Sequence, residues 1–131
     1  MRVLIIGGVA AGTKTAAKVK RLSRDAEVTI LTRDREISYA GCGLPYYVGG
    51  LIEERSELVV NTPQMYASLT GVQVYTGQEC TRVLPDRHRV LARDTETGEE
   101  KSYEYDRLVL AVGASAVVPP VPGADLPGVF T

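Results

Sequence analysis

This sequence is poor in cysteine, histidine and net charge, and no apolar run in it is long. The two cysteines, Cys42 and Cys80, are far apart and form no CxxC pair. Two separate thiols are therefore expected, not a disulfide. A formal charge of −1 excludes any global pull toward nucleic acid or an anionic membrane. The longest strongly apolar run, Leu108 to Val112, is far short of the roughly 20 residues a spanning helix needs. No signal-peptide core with a cleavage site precedes the first strand-like run, so the expected location is cytoplasmic. His88 is the only imidazole, and no metal site is expected. What is present is ordinary for one globular domain: 131 residues, 44% apolar and 24% charged.

Val3-Leu4-Ile5-Ile6 has no polar alternation, which predicts a parallel strand buried on both faces. Gly7-Gly8 ends it. Residues 11–23 are predicted as a helix with Ala11, Thr15, Val19 and Leu22 on its apolar stripe. Val28 to Leu31 predicts a second buried strand, completing a βαβ unit. Residues 36–62 are expected to be loop-rich with one helical turn. Thr62-Pro63 predicts a helix start, with Thr62 as N-cap, and Gly71 its stop after Leu69. A strand is expected over 72–75. Strands over 79–84, 88–94 and 101–105 are separated by the turns Pro85-Asp86 and Thr97-Gly98, which predicts an antiparallel meander. A last buried strand is expected over 108–111, capped by Gly113. Residues 117–131, with Pro119, Pro120, Pro122 and Pro127, are expected to form an extended connector. The expected class is α/β, a parallel sheet with a β-meander.

Gly7-Gly8-Val9-Ala10-Ala11-Gly12 lies where a GxGxxG phosphate fingerprint belongs, between strand and helix. Its outer glycines are in place. Val9 replaces the middle one, with Gly8 a position early. A helix N-terminus here would offer free N–H groups to a pyrophosphate; a plain tight βα turn is the alternative. The acid expected about 20 residues on is Thr32 instead, with Asp34 two residues later and Arg33, suited to a phosphate, between them.

The second feature is Ser38-Tyr39-Ala40-Gly41-Cys42-Gly43-Leu44-Pro45-Tyr46. The two glycines remove side chains beside the thiol, and Pro45 biases Leu44 away from the α region. The segment either lets something flat approach the sulfur or is an ordinary turn. On the helix, Lys14, Lys18 and Arg21 fall at i, i+4 and i+7, either a solvated cationic face or an anion site. Cys80, in a predicted strand, reads as a small buried hydrophobe.

Four stretches together carry a resemblance: IIGGVAAG at 5–12, ISYAGCGLPYYVGG at 37–50, VVNTP at 59–63, and YDRLVLAVGASAVVPPVPGADLPGVFT at 105–131. On them the chain resembles the single-cysteine branch of the flavin (pyridine nucleotide-disulfide) oxidoreductases. That branch includes coenzyme A-disulfide reductase, NADH-dependent persulfide reductase, NADH oxidase and NADH peroxidase. The resemblance implies a Rossmann-like FAD/NAD(P)-binding domain of three layers. It implies FAD contacts from Gly7, Gly8, Val9, Ala10, Ala11 and Gly12, from Thr32, Arg33 and Asp34, from the backbone near Cys80, and from Ala111, Val112 and Gly113. Cys42 would be the redox thiol facing the flavin. Lys14, Lys18, Arg21 and Ser38 would hold a CoA-based disulfide or persulfide. Gly41 departs from the asparagine common in the coenzyme A reductases. The oxidase and peroxidase members carry a histidine where this chain has Ala10, which favours disulfide or persulfide reduction.

The same resemblance implies that residues 1–116 are the N-terminal part of an FAD domain. Residues 117–131 would lead toward an NAD(P)H domain, binding NADH or NADPH, that this chain lacks. A returning FAD segment and a dimerisation domain of a homodimer would follow. The chain alone is expected to be an inactive fragment that holds FAD weakly or not at all. A non-catalytic nucleotide-binding module with a structural Cys42 is the rival expectation.

Overall fold

Why β1 (Arg2–Ile6) is apolar without alternation is clear from what lies on its two sides. Val3 and Ile5 pack toward two helices, while Leu4 and Ile6 pack toward a separate β-layer. The structure, a computed structural model, describes residues 1–130. β1 pairs in parallel with β2 (Glu27–Leu31) and β9 (Arg107–Leu110), and β2 with β5 (Gln73–Tyr75), giving the order β5-β2-β1-β9. Ile5, Ile30 and Leu31 are completely buried, worth about 1.5–3 kcal/mol each on transfer.

One face of this sheet carries α1 (Val9–Leu22) and α3 (Pro63–Thr70). The buried positions of α1 are Gly12, Thr13 and Ala16, with Val19 packed against them. The expected stripe of Ala11, Thr15, Val19 and Leu22 is thus displaced by about one position, and Leu22 is exposed. The helix runs too close to β1 for large side chains, so small residues mark its inner face. α3 begins as expected: the Thr62 hydroxyl accepts from the Met65 N–H at 3.2 Å, and Pro63 opens the helix. It ends at Gly71, whose φ of +71° suits glycine.

The other face carries the antiparallel meander β6 (Gln78–Leu84), β7 (Arg89–Asp94) and β8 (Glu100–Glu104). Val90, Ala92 and Tyr105 pack on Leu4, Ile6 and Leu31, completing three layers. His88 is not in β7 as expected. It closes the 3-10 turn Pro85–Arg87 at φ +48°, exposed, with its ring against Tyr105. The chain reverses there, and the left-handed conformation of the turn excludes a strand residue.

Residues 36–62 hold more order than expected. β3 (Ser38–Tyr39) pairs antiparallel with β4 (Val59–Asn61), and between them lie a 3-10 turn Gly41–Gly43, helix α2 (Leu44–Val48) and a second 3-10 turn Arg55–Leu58. Leu44 is helical (φ −55°, ψ −42°), contrary to the expected effect of Pro45. Its N–H donates to the Gly41 carbonyl, so the turn runs directly into α2, where Pro45 occupies a first-turn position that needs no N–H. The segment after β9 is also less extended than expected. Residues 122–128 form successive turns, with Gly123 and Gly128 at positive φ.

The meander is tied to the parallel sheet by charge at one edge. The Arg2 guanidinium lies 2.7 Å from Glu104 and 3.4 Å from Asp106, and Glu104 also meets Arg89 at 2.6 Å. The Arg2 backbone N–H donates to Asp106 at 2.6 Å. This N–H bond, then the Arg2 side chain, holds the Asp106 carboxyl below the usual range, and hydrogen bonds from Arg2 and Arg89 do so for Glu104. Both carboxyls therefore stay charged to lower pH folded than unfolded. Their contribution is complete above the ordinary carboxylate range of about 4, and is lost as pH falls through the lowered folded values. The Asp106→Asn variant should be less stable than wild type at neutral pH. It should also lose less melting temperature on acidification from about pH 5 to pH 3. Thermal melts followed by circular dichroism check both; parallel acid limbs would refute the assignment.

Candidate functional site

The turn from β1 into α1 is built on two contacts that admit no Cβ. A Cβ on Gly12 would lie 1.9 Å from the Gly7 carbonyl oxygen, and one on Gly7 2.1 Å from the Ala111 carbonyl oxygen. Gly7 also has φ +100°. The outer glycines of the fingerprint thus set α1 directly on the ends of β1 and β9. Val9, in the middle glycine's place, sits at φ +54°. For a β-branched residue this is a true outlier, costing about 1–2 kcal/mol. Among the described residues, the N–H groups of Ala10 and Ala11 donate to no backbone oxygen. They lie on the first turn of α1, where a partial positive charge accumulates.

Beside this turn is a cleft of about 400 Å³ at the carboxyl ends of β1, β2 and β9. Of the residues singled out in the sequence, Gly7, Thr32, Arg33, Asp34, Cys80 and Val112 line it. Thr32 is buried and fixed by its backbone, donating to the Tyr75 carbonyl at 3.0 Å and accepting from the Gln78 N–H at 2.9 Å. Its hydroxyl accepts from the Asp34 N–H at 3.4 Å, leaving its own proton free to donate. Arg33 and Asp34 are exposed and 3.8 Å apart. Burial pushes the Cys80 thiol up, against the Arg82 N–H, so it stays protonated. Ala111 and Gly113 continue the chain past β9, and a Cβ on Gly113 would meet only open space.

The sequence reading missed Gln78, which is buried and lines the same cleft. Its amide donates to Asp94 at 2.8 Å and accepts from Tyr103 at 3.3 Å. A strand-opening glutamine carries no distinctive signal. It also missed Ile37, completely buried, whose carbonyl accepts from the Val9 N–H at 2.7 Å. A Cβ on Gly8 would fall 2.8 Å from that carbonyl oxygen. An apolar residue opening an otherwise polar stretch was the available signal.

Ile37 ties the βα turn to the cysteine segment. Ser38, half-buried, pairs with Asn61 in β3–β4, and Cys42 follows in the 3-10 turn as an exposed free thiol. The flanking glycines differ in role. A Cβ on Gly43 would come within 2.7 Å of Leu58, whereas one on Gly41 would meet only Tyr39, at 3.8 Å. Only Gly43 is required by packing. Gly41 leaves the space beside the sulfur open.

Lys14, Lys18 and Arg21 lie apart from the cleft, along an open groove of about 990 Å³ between α1 and the end of α3. Arg24, Leu69 and Thr70 also line it. None of these four cations forms an ion pair among the described residues. Lys20 is committed elsewhere, donating to the Arg24 and Ala26 carbonyls at 2.7 and 3.0 Å.

A βα phosphate-type turn, a cleft at a parallel sheet edge and an exposed thiol on a pinned loop describe a nucleotide-binding redox domain. The pattern of the family described as pyridine nucleotide-disulphide oxidoreductase matches residues 1–131, and the chain belongs to that family. It is 42% identical over 130 residues to the NAD(P)H sulfur oxidoreductase (CoA-dependent) of Pyrococcus furiosus, covering 99% of this chain and 28% of that protein. It is 35% identical to the NADH oxidase of Methanocaldococcus jannaschii over 130 residues, 99% of this chain and 29% of that protein. The structure of reduced CoADR-RHD from Bacillus anthracis superimposes with a TM-score of 0.88 at 34% identity, covering 93% of this chain and 22% of that one. The chain therefore spans less than a third of the length of these relatives. No helix among the described residues is long and apolar enough to cross a membrane.

Two glycine substitutions separate these roles. Gly12→Ala forces α1 off β1 and should cost about 1–3 kcal/mol or more. Gly41→Ala should stay within about 0.5 kcal/mol, as at an ordinary surface site. Urea denaturation of both variants checks the contrast, and equal costs would refute it.

Proposed function

We propose that this chain is the N-terminal FAD-binding portion of an NAD(P)H-dependent flavoprotein that reduces a disulfide or persulfide through Cys42. Residues 1–116 form that portion and residues 117–131 the connector toward the nicotinamide domain. The observation that carries the reading is the Val9–Ile37 bond, which couples the helix N-terminus to the segment bearing an exposed thiol. The chain's residues suit FAD: glycines let the backbone approach closely, the Ala10 and Ala11 N–H groups suit a pyrophosphate, and Thr32 and Asp34 suit a ribose. Ala111, Val112, Gly113 and the backbone at Cys80 complete its contacts. When bound, FAD would supply the electrons that NAD(P)H provides for reduction.

Cys42 acts as a thiolate. Its Sγ attacks one sulfur of the substrate disulfide, a new S–S bond forms, and the departing thiolate takes up a proton. Cys80 belongs to the cleft wall, where burial disfavours the thiolate that would attack that bond. Ser38 lies on the strand leading to the thiol, and its hydroxyl suits the leaving sulfur. The substrate class follows from charge. Lys14, Lys18 and Arg21, unpaired along one groove, suit a multiply phosphorylated thiol such as coenzyme A. Disulfide or persulfide reduction is favoured over an oxidase or peroxidase because Ala10 offers no proton donor. The one imidazole is on the meander side of the sheet, packed on Tyr105.

In the full-length enzyme, Cys42→Ser should abolish CoA-disulfide or persulfide turnover and leave FAD bound, since a hydroxyl is a poor nucleophile toward sulfur. Near-normal disulfide reduction by this variant, or a colourless wild-type protein, would overturn the reading. Replacing Lys18 and Arg21 together by Ala should raise KM for CoA-disulfide about 5- to 150-fold, less at high salt. A small uncharged disulfide should be reduced as before. Equal loss on both substrates would assign the helix face to stability or FAD placement instead.

A further inference from the structure

Val9 holds a left-handed conformation that its side chain disfavours, at the turn from which α1 presents its free N–H groups. Its N–H is held by the Ile37 carbonyl at 2.7 Å, and its carbonyl is held from the helix side. The Thr13 hydroxyl, buried on the inner face of α1, donates to the Val9 carbonyl. The Tyr66 hydroxyl, reaching across from α3, donates to the Thr13 carbonyl at 2.5 Å. Tyr66 is itself buried in the helix-side core. Burial pushes its phenol up, so it remains a donor at neutral pH.

The direction of these bonds matters. The Val9 carbonyl and the Ala10 N–H belong to one planar trans peptide unit and point opposite ways. A carbonyl held inward along the helix aims the Ala10 N–H outward from its N-terminus. Swinging the peptide plane would break the bond from the Thr13 hydroxyl to the Val9 carbonyl as well as the helix's own bonding there.

We infer that Tyr66 and Thr13 are positioning residues: the Thr13 hydroxyl holds the strained Val9 carbonyl and the Tyr66 hydroxyl anchors the Thr13 backbone from α3, so that the Ala10 N–H is oriented to meet the cofactor's pyrophosphate. This rests on the FAD reading above. It helps explain how the chain dispenses with the middle glycine: a glycine would adopt this φ without strain, whereas valine is held there by added contacts.

The test uses the full-length flavoprotein, its FAD removed and titrated back by flavin fluorescence. Tyr66→Phe and Thr13→Val each keep the buried volume and remove one hydroxyl. Each should raise the FAD Kd roughly 2- to 12-fold, the equivalent of one net hydrogen bond. Thr13→Ser keeps the hydroxyl and should bind FAD as wild type does. The decisive arm is Val9→Gly. In that background Tyr66→Phe and Thr13→Val should change the Kd less than about 2-fold, because glycine needs no restraint. Unchanged FAD affinity in both hydroxyl-deletion variants would overturn the inference. So would a loss that persists in full with Val9→Gly, which would make both hydroxyls ordinary packing contacts. A wild-type protein that takes up no FAD would overturn the FAD reading itself, and the inference with it.

Discussion

Everything in this domain depends on how closely α1 approaches β1. The Gly12 Cα faces the Gly7 carbonyl with no room for a methyl group, and Gly7 faces Ala111 in the same way. With a side chain at either position the helix would lift from the sheet, and its first turn would no longer sit at the strand ends. That approach selects small residues along the inner helix face, Gly12, Thr13 and Ala16. It also leaves the apolar bulk of the core to the strands.

The same approach organises the cysteine segment. A helix seated this low brings Gly8 and Val9 against the Ile37 carbonyl, so the chain entering β3 is anchored at its first residue. The far end is held by β3–β4 pairing and by Leu58 under Gly43. Between these fixed ends Cys42 has little backbone freedom yet stays exposed. A nucleophile needs that combination of fixed position and access. Loop composition alone would suggest mobility. The pairing partners, twenty or more positions along the chain, are what remove it.

The elements most readable in the sequence were those whose reasons are local. The Thr62-Pro63 start and Gly71 stop of α3 rest on cap chemistry within one turn, β1 on an uninterrupted apolar run and β2 on a short, mostly β-branched one. The meander was readable because its turns announce themselves, although His88 fell in a turn and not in β7. What escaped depended on distant partners. The inner face of α1 was misplaced because the closeness of β1, not hydrophobicity, decides which residues are buried. The order within 36–62 was missed because β3 and β4 are too short to show a pattern alone. Leu44 and Pro45 read as a helix-averse pair until the preceding 3-10 turn supplied a continuing hydrogen bond. In the site, fingerprint glycines and the cysteine stood out by type, whereas Gln78 and Ile37 matter through a backbone carbonyl or a side-chain network that no motif records.

A net charge of −1 conceals a strongly polarised helix. α1 offers positive potential twice, by different means. At its N-terminus the charge is backbone dipole and free N–H groups, which no side-chain substitution other than proline removes. Along its outer face and last turns it is Lys14, Lys18 and Arg21, joined just past the helix by Arg24, with no acid on the helix to offset them. The basic residues of the last turn complement the dipole's negative end and so stabilise the helix that carries them. The two positive regions face different spaces, the cleft on one side and the α1–α3 groove on the other. One short helix can therefore serve two anions at once without their competing. On the proposed function, a tightly held cofactor and an exchangeable phosphorylated substrate would use the two regions separately, so that the first can stay while the second leaves.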